Sequence, residues 1–347
     1  MLAVRLHRHG DPQVLRVEDV PRPQVGRGEI LVAMKAAALN HLDLWLRNGL
    51  PGLKMPLPMI MGSDGAGVVT EIGAGVDGFA VGDEVVIQPG LFCGRCAVCR
   101  AGRENLCPEF GILGEKIDGV QAQYVNLKPV NAYKKPTGLT FEEAASIGLV
   151  FLTAYQMLIK RAQLHQGETV LVIGGNSGVG AAAIQIAADR GARVIATASK
   201  GAKSEFARSI GAHEVVDHYQ KGWHKQVLEL AGPDKVQVVF DHVGPATWDE
   251  SLKTMGLGAR LVFCGATSGQ ETTLNIRLAY RKHHSFLGST MGDLDSFKAV
   301  MKGFEEGRYH PNVDKIFPLE EIADAHRYLE AGRHQGKIVV RLPGGQY

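Results

Sequence analysis

The sequence predicts an α/β protein of two domains, one β-rich and one built on a doubly wound parallel sheet. Three observations point there. The chain has 347 residues, more than one hydrophobic core readily organises. Its texture changes near Phe141, from short β-like runs punctuated by Gly and Pro to strands alternating with helices. One of those strands, at residues 169–173, runs through a glycine-rich turn into an Ala-rich helix, the repeating unit of a parallel α/β layer.

Taken in order, the runs 30–32, 67–71, 84–87 and 123–125 read as strands of a compact, mostly β barrel. Turns at Pro21-Arg22-Pro23, Gly26-Arg27-Gly28, Gly73-Ala74-Gly75 and Val81-Gly82-Asp83 separate them, Pro fixing φ and Gly supplying φ > 0. After Phe141, residues 169–173, 193–197, 236–240 and 259–263 read as buried strands, with helices at 179–190, 202–210 and 245–254 between them. That alternation implies right-handed βαβ units. The apolar stretch 144–159, interrupted by Ser146, Thr153 and Gln156, reads as one buried helix too short to span a bilayer. The tail carries helices near 294–306 and 319–330 and a strand at 337–340, and is expected to return to the first domain. The expected domains are therefore 1–150 with 290–347, and 151–289.

Apolar residues make up 45% of the chain and charged residues 21%, which suits filled globular cores. With 38 basic and 36 acidic residues the formal charge is +2, so no broad basic surface is available to neutralise phosphates and nucleic acid is not an expected partner. Met1-Leu2-Ala3-Val4-Arg5 begins an alternating pattern and not a signal peptide. The expected location is cytoplasmic, away from membranes.

Four of the five cysteines, Cys93, Cys96, Cys99 and Cys107, fall within fifteen positions, separated by two, two and seven residues. Such spacing turns successive thiolates inward, and four sulfurs at about 2.3 Å close a tetrahedron around Zn²⁺ with no position open to substrate. One structural zinc is the reading. Disulfides suit a reducing compartment poorly, and iron–sulfur clusters use other spacings.

The turn Gly174-Gly175-Asn176-Ser177-Gly178-Val179-Gly180 follows its strand and opens a helix, the order in which glycines admit a pyrophosphate to a helix N-terminus. Ser177 stands where the usual fingerprint has its middle Gly, and a plain tight turn is the alternative. The next strand ends in Ala198-Ser199-Lys200, with Lys203 close behind, where an acidic residue would select NAD(H). A hydroxyl and cations favour NADP(H), unless the lysines are merely solvated residues of a helix start.

These residues resemble the medium-chain dehydrogenase/reductase superfamily, with zinc alcohol dehydrogenases on one side and quinone reductases on the other. The resemblance spans nearly the whole chain: Gly26-x-Gly28-Glu29-Ile30-Leu31-Val32, Gly62-Ser63-Asp64-Gly65-Ala66-Gly67-Val68-Val69, Val81-Gly82-Asp83, the cysteine lobe, Thr153-Ala154-Tyr155 and Gly336-Lys337-Ile338-Val339. It implies a GroES-like β-rich catalytic domain, a Rossmann domain, an active site in the cleft between them, and a homodimer or homotetramer. It also implies cofactor contacts from Thr153, Gly175, Ser177, Gly178, Val179, Gly180, Ser199, Lys200, Tyr219, Val243 and Gly265.

Where the zinc alcohol dehydrogenases place their catalytic ligands, the aligned residues here are Asn40, Ser63 and Leu149, and the hydroxyl that begins their proton relay becomes Leu42. An amide, a hydroxyl and a hydrocarbon do not make that site. The implied reaction is hydride transfer to a quinone, enone or aldehyde without a catalytic metal, with Asn40, His41 and Ser63 as the candidate catalytic residues. Two rivals stand beside it. One is an alcohol dehydrogenase whose metal is rebuilt from His41, Asp43 and Asp64. The other is an NADPH-binding protein with little turnover. Cys264 is expected to pack at a strand end and not to act as a nucleophile.

Overall fold

The computed structural model describes residues 1–343. It divides into two compact units, residues 1–149 with the chain from Asp293 onward, and Val150–Gly292.

In the first unit a seven-stranded sheet runs in the order Ala132–Lys134, Glu84–Ile87, Asp64–Ile72, Ile30–Ala38, Lys337–Arg341 and Val313–Pro318, with Tyr124–Leu127 also paired to Ile30–Ala38. Ile30–Ala38 extends well beyond the expected 30–32. Its second half is Ala-rich and carries weak β-propensity, but pairing with Asp64–Ile72 on one side and Lys337–Arg341 on the other holds it extended. Val32, Met34, Met61, Val69, Val85, Ile87, Ile338 and Val340 fill the core around it.

The second unit is a six-stranded, all-parallel sheet in the order Glu214–Val216, Arg193–Thr197, Thr169–Val172, Val236–Asp241, Met255–Phe263 and Ser285–Gly288. Leu171, Ile195, Val239, Leu261, Val227 and Trp248 are among its buried core. Two strands were illegible in part. Met255–Phe263 starts four residues before the expected 259 because Gly256 and Gly258 disguise its opening, glycine being depleted in strands. Ser285–Gly288 is too short to carry a pattern.

The expected single helix over 144–159 is corrected. The chain forms Phe141–Ala145, then Gly148–Tyr155, then a π-helical stretch Gln156–Arg161. Ser146 Oγ donates to the Glu143 carbonyl at 2.7 Å and closes the first of these, the local competition that makes Ser a poor mid-helix residue. The helix expected at 319–330 opens with a 3₁₀ turn, Leu319–Glu321, before Ile322–Glu330. No helix among the described residues is long and apolar enough to cross a membrane.

Candidate active site

In the second unit the strand order reverses between Thr169–Val172 and Val236–Asp241, and ligands of open α/β sheets bind outside the carboxyl ends at such a point. The glycine-rich turn lies there. Ser177 is the N-cap of the helix Gly178–Asp189, its Oγ accepting the Gly180 N–H at 3.0 Å. A Cβ on Gly180 would come within 2.2 Å of the Gly174 carbonyl oxygen, so only glycine lets the helix start this close to its own turn. The free N–H groups of that first turn can meet a phosphate. The Ser177 hydroxyl is committed to the cap and lies 3.1 Å from His242 Nε2; it shapes the turn.

Apart from Thr153, in the helix Gly148–Tyr155, the other expected cofactor contacts follow the carboxyl ends of strands in this unit. Ser199 and exposed Lys200 follow Arg193–Thr197, and Tyr219, 77% exposed, follows Glu214–Val216. Val243 and Gly265 follow the next two strands, and Asp241 Oδ1 holds the first of those turns by accepting from Val243 N–H and Gly244 N–H at 2.7 and 2.8 Å. Thr153 is buried with its Oγ1 unpartnered, a hydroxyl available to a ligand. Sequence reasoning missed Thr197, His218 and His242. Thr197 Oγ1 accepts the Gly174 N–H at 3.0 Å and lies 2.9 Å from His218 Nδ1. Burial lowers the pKa of both histidines, favouring the neutral ring. Their signal was a polar residue at or just beyond the end of a strand. Burial also pushes the Cys264 thiol up to about 12, the reverse of activation.

In the first unit, Cys93, Cys96, Cys99 and Cys107 converge so that all four sulfurs lie within 4.8 Å of one another. The separations are 3.9 Å for Cys93–Cys99, 3.4 Å for Cys96–Cys99 and 3.9 Å for Cys96–Cys107, against about 3.8 Å for sulfurs around a tetrahedral zinc. Backbone N–H groups point at the cage: Cys96 N–H donates to Cys93 Sγ at 3.3 Å and Glu109 N–H to Cys107 Sγ at 3.3 Å. Donors of this kind, led by the Arg95 N–H, pull the Cys93 thiol down to about 6. The residues fit a zinc ion.

Asn40 and Ser63 occupy a different kind of cluster in the same unit. Strand register builds it. Ala38 pairs with Asp64 on one side and Val339 on the other, so Asn40, Asp64 and Lys337 come together just past the paired ends. Asn40 Nδ2 donates to Asp64 Oδ2 at 2.9 Å, and Lys337 Nζ donates to Asn40 Oδ1 at 2.6 Å and Asp64 Oδ2 at 3.1 Å. Asp64 Oδ1 accepts the Leu149 N–H at 2.7 Å, at the start of the helix Gly148–Tyr155. A Cβ on Gly148 would lie 2.8 Å from that same oxygen, which is why the carboxylate can approach. Asp43 accepts the Asn40 N–H at 2.7 Å; burial pushes its carboxyl up to about 7 against the pull of that donor and of Lys337.

The three candidate catalytic residues differ in what they offer. Ser63 is fully buried and its hydroxyl donates to the Leu113 carbonyl at 2.8 Å, so in this arrangement it has no proton for a substrate oxygen. His41 is exposed at the first turn of the helix His41–Asn48, its ring edge-on to Trp45 at 5.1 Å. Asn40 keeps a second Nδ2 proton. His41, Asp43 and Asp64 do not converge as a ligand set: the cysteines form the only such group of His, Cys, Asp or Glu among the described residues. Lys337, quoted above only as part of a motif, is the member that sequence reasoning missed.

Comparison with known proteins agrees with this layout. Residues 26–137 match the alcohol dehydrogenase GroES-like domain, and residues 178–306 match the zinc-binding dehydrogenase family. A solved structure of an NAD-dependent alcohol dehydrogenase is similar with a TM-score of 0.96 and 46% identity, covering 99% of this chain and 100% of that one. The crotonyl-CoA carboxylase/reductase of Cereibacter sphaeroides is 32% identical, covering 96% of this chain and 85% of its own. The quinone oxidoreductase of Rattus norvegicus is 28% identical, covering 99% and 98%. With a GroES-like domain, a parallel nucleotide-binding sheet and relatives of this kind, the chain belongs to the medium-chain dehydrogenase/reductase superfamily and is an NAD(P)-dependent oxidoreductase.

Proposed function

We propose that the protein reduces a conjugated carbonyl acceptor, a quinone, an enone, an α,β-unsaturated thioester or an activated aldehyde, without a catalytic metal. The observation that carries this reading is the Asn40–Asp64–Lys337 cluster. The positions that hold zinc ligands in the zinc alcohol dehydrogenases carry an amide, a hydroxyl bonded to a carbonyl and a leucine, and the neighbouring carboxylate is already paired with an ammonium. Bound NADPH would supply the hydride, and water the proton that completes the reduction. Charge then develops on the acceptor oxygen, and the role assigned to the second Asn40 Nδ2 proton is to meet it. A neutral donor stabilises less charge than a Lewis acid, so acceptors that delocalise it are favoured. The similarity to a crotonyl-CoA carboxylase/reductase and a quinone oxidoreductase supports this acceptor class.

Three finer assignments accompany it. The Cys93, Cys96, Cys99 and Cys107 cage holds one structural zinc. NADP(H) is preferred to NAD(H), because Ser199 and Lys200 stand where an acid would read the ribose 2′-hydroxyl. The protein works in the cytoplasm as a homo-oligomer; exposed Leu257, Ile276 and Tyr280 beside the outer edge of the parallel sheet support self-association.

The similar NAD-dependent alcohol dehydrogenase favours a second reading, oxidation of simple alcohols. An acceptor and donor panel separates the two. Turnover is expected with conjugated acceptors and NADPH, and Asn40→Leu is expected to lower kcat by about 100-fold, the scale of losing one oxyanion donor. Turnover confined to simple alcohols, or an Asn40→Leu variant as fast as the parent, would overturn the proposal.

A further inference from the structure

Lys337 is 4% exposed and enters the cluster from the first position of the strand Lys337–Arg341. An ammonium has three N–H groups, and all are spent: on the Leu39 carbonyl at 2.7 Å, Asn40 Oδ1 at 2.6 Å and Asp64 Oδ2 at 3.1 Å. Lys337 therefore has nothing left to give a substrate. Its effect falls on Asn40. A carboxamide can turn over and exchange its oxygen and nitrogen, since the two ends are nearly the same shape. Here a flip would set the NH₂ group against the ammonium of Lys337 and the carbonyl oxygen against the carboxylate of Asp64. Both contacts would be repulsive, and both present contacts are charge-assisted.

We propose that Lys337 is a positioning residue for the reduction: with Asp64 it locks the Asn40 carboxamide in one orientation and leaves a single Nδ2 proton to meet the acceptor oxygen. The ammonium on Oδ1 also draws electron density from the amide and strengthens that remaining donor. The inference rests on the proposed role of Asn40 and adds the residue that holds it. It also accounts for an expensive feature, a buried lysine beside a fully buried aspartate, which hydrophobic packing could replace without loss of stability.

The test is a double-mutant cycle on the full-length protein, read as kcat, KM for one conjugated acceptor and Kd for NADPH. Lys337→Met is expected to lower kcat about tenfold or more while KM and Kd stay within about twofold. In an Asn40→Leu background the same change is expected to have no further effect on kcat, because the donor it orients is already gone. Asp64→Asn/Lys337→Met removes both charges together, so it is expected to fold where the single variant fails, and to show the same loss in kcat. A full kcat in either Lys337 variant, or an equal loss from Lys337→Met with and without Asn40, would overturn the positioning role. Should Asn40→Leu itself leave kcat unchanged, the donor assignment falls first and the positioning role falls with it.

Discussion

The cysteine lobe and the Asn40 cluster are two concentrations of polar side chains in one unit, and they resolve their charge in opposite ways. In the lobe, four sulfurs face one another with backbone N–H groups behind them. No cationic side chain among the described residues is paired with the cage, so its thiolate form calls for a cation from outside. In the Asn40 cluster the cation is part of the chain: Lys337 sits on Asp64, and both oxygens of that carboxylate are engaged. The difference teaches what each region depends on. On the proposed reading the lobe depends on a bound zinc, whereas the Asn40 cluster is assembled by strand register.

The largest expected effect follows from breaking the lobe. Cys96→Ser should take the bound zinc from one per chain to none and open the lobe to proteolysis, since closed thiolate cages carry metal-binding free energy on the order of 10 kcal/mol. Hydride transfer should survive in part. Metal analysis with limited proteolysis checks this. Next in size is the Asn40 cluster, where Lys337→Met leaves a buried carboxylate without its counter-charge and should cost about 3–5 kcal/mol in urea unfolding. The charge-balanced Asp64→Asn/Lys337→Met variant should recover much of that loss.

A third polar cluster sharpens the comparison because its cation meets a neutral histidine as well as a carboxylate. Buried Arg47 donates to the Gly10 carbonyl at 3.0 Å, lies 3.2 Å from His326 Nδ1 and also pairs with Glu330. Burial, and then Arg47, hold His326 down to about 3 against 6.5 for a free histidine. The unfolded chain therefore binds a proton between those values that the folded chain refuses. The stability this group contributes is present above about pH 6.5 and drains away as pH falls, by on the order of 3 kcal/mol at pH 4. Relative to His326→Asn, the parent should lose stability over that range, measured by unfolding at several pH values. Equal slopes would place the acid sensitivity elsewhere. The smallest effect belongs to the nucleotide site, where Lys200→Ala should narrow the preference for NADPH over NADH about tenfold, or about 1.4 kcal/mol. Paired titrations of the two cofactors measure it.

Much of this was legible because the signals were local. The cysteine spacing, the turn Gly174 to Gly180 and the strand Arg193–Thr197 each carry their reason within a few residues, and in the structure the four sulfurs converge, a helix starts at Gly178 and the strand forms. What escaped depends on partners far away in sequence. Lys337 meets Asn40 across 297 residues, and only the pairing of Ile30–Ala38 with Lys337–Arg341 brings them together. Ser63 is a candidate catalytic residue by type, yet its proton goes to the Leu113 carbonyl, fifty residues on. The helix breaks at Ser146 and Gly148 were overridden by apolar content, although Gly148 is what admits Asp64 to the helix start.

The central claim is that reduction needs the lobe zinc for structure only and no metal at Asn40. Brief chelation, with zinc content and folding followed beside turnover of a conjugated acceptor, tests it directly, because a closed cysteine cage releases metal slowly. Turnover is predicted to persist while one zinc per chain remains bound. Loss of turnover with the lobe still loaded, restored by adding Zn²⁺, would contradict the account and make simple alcohols the expected substrates.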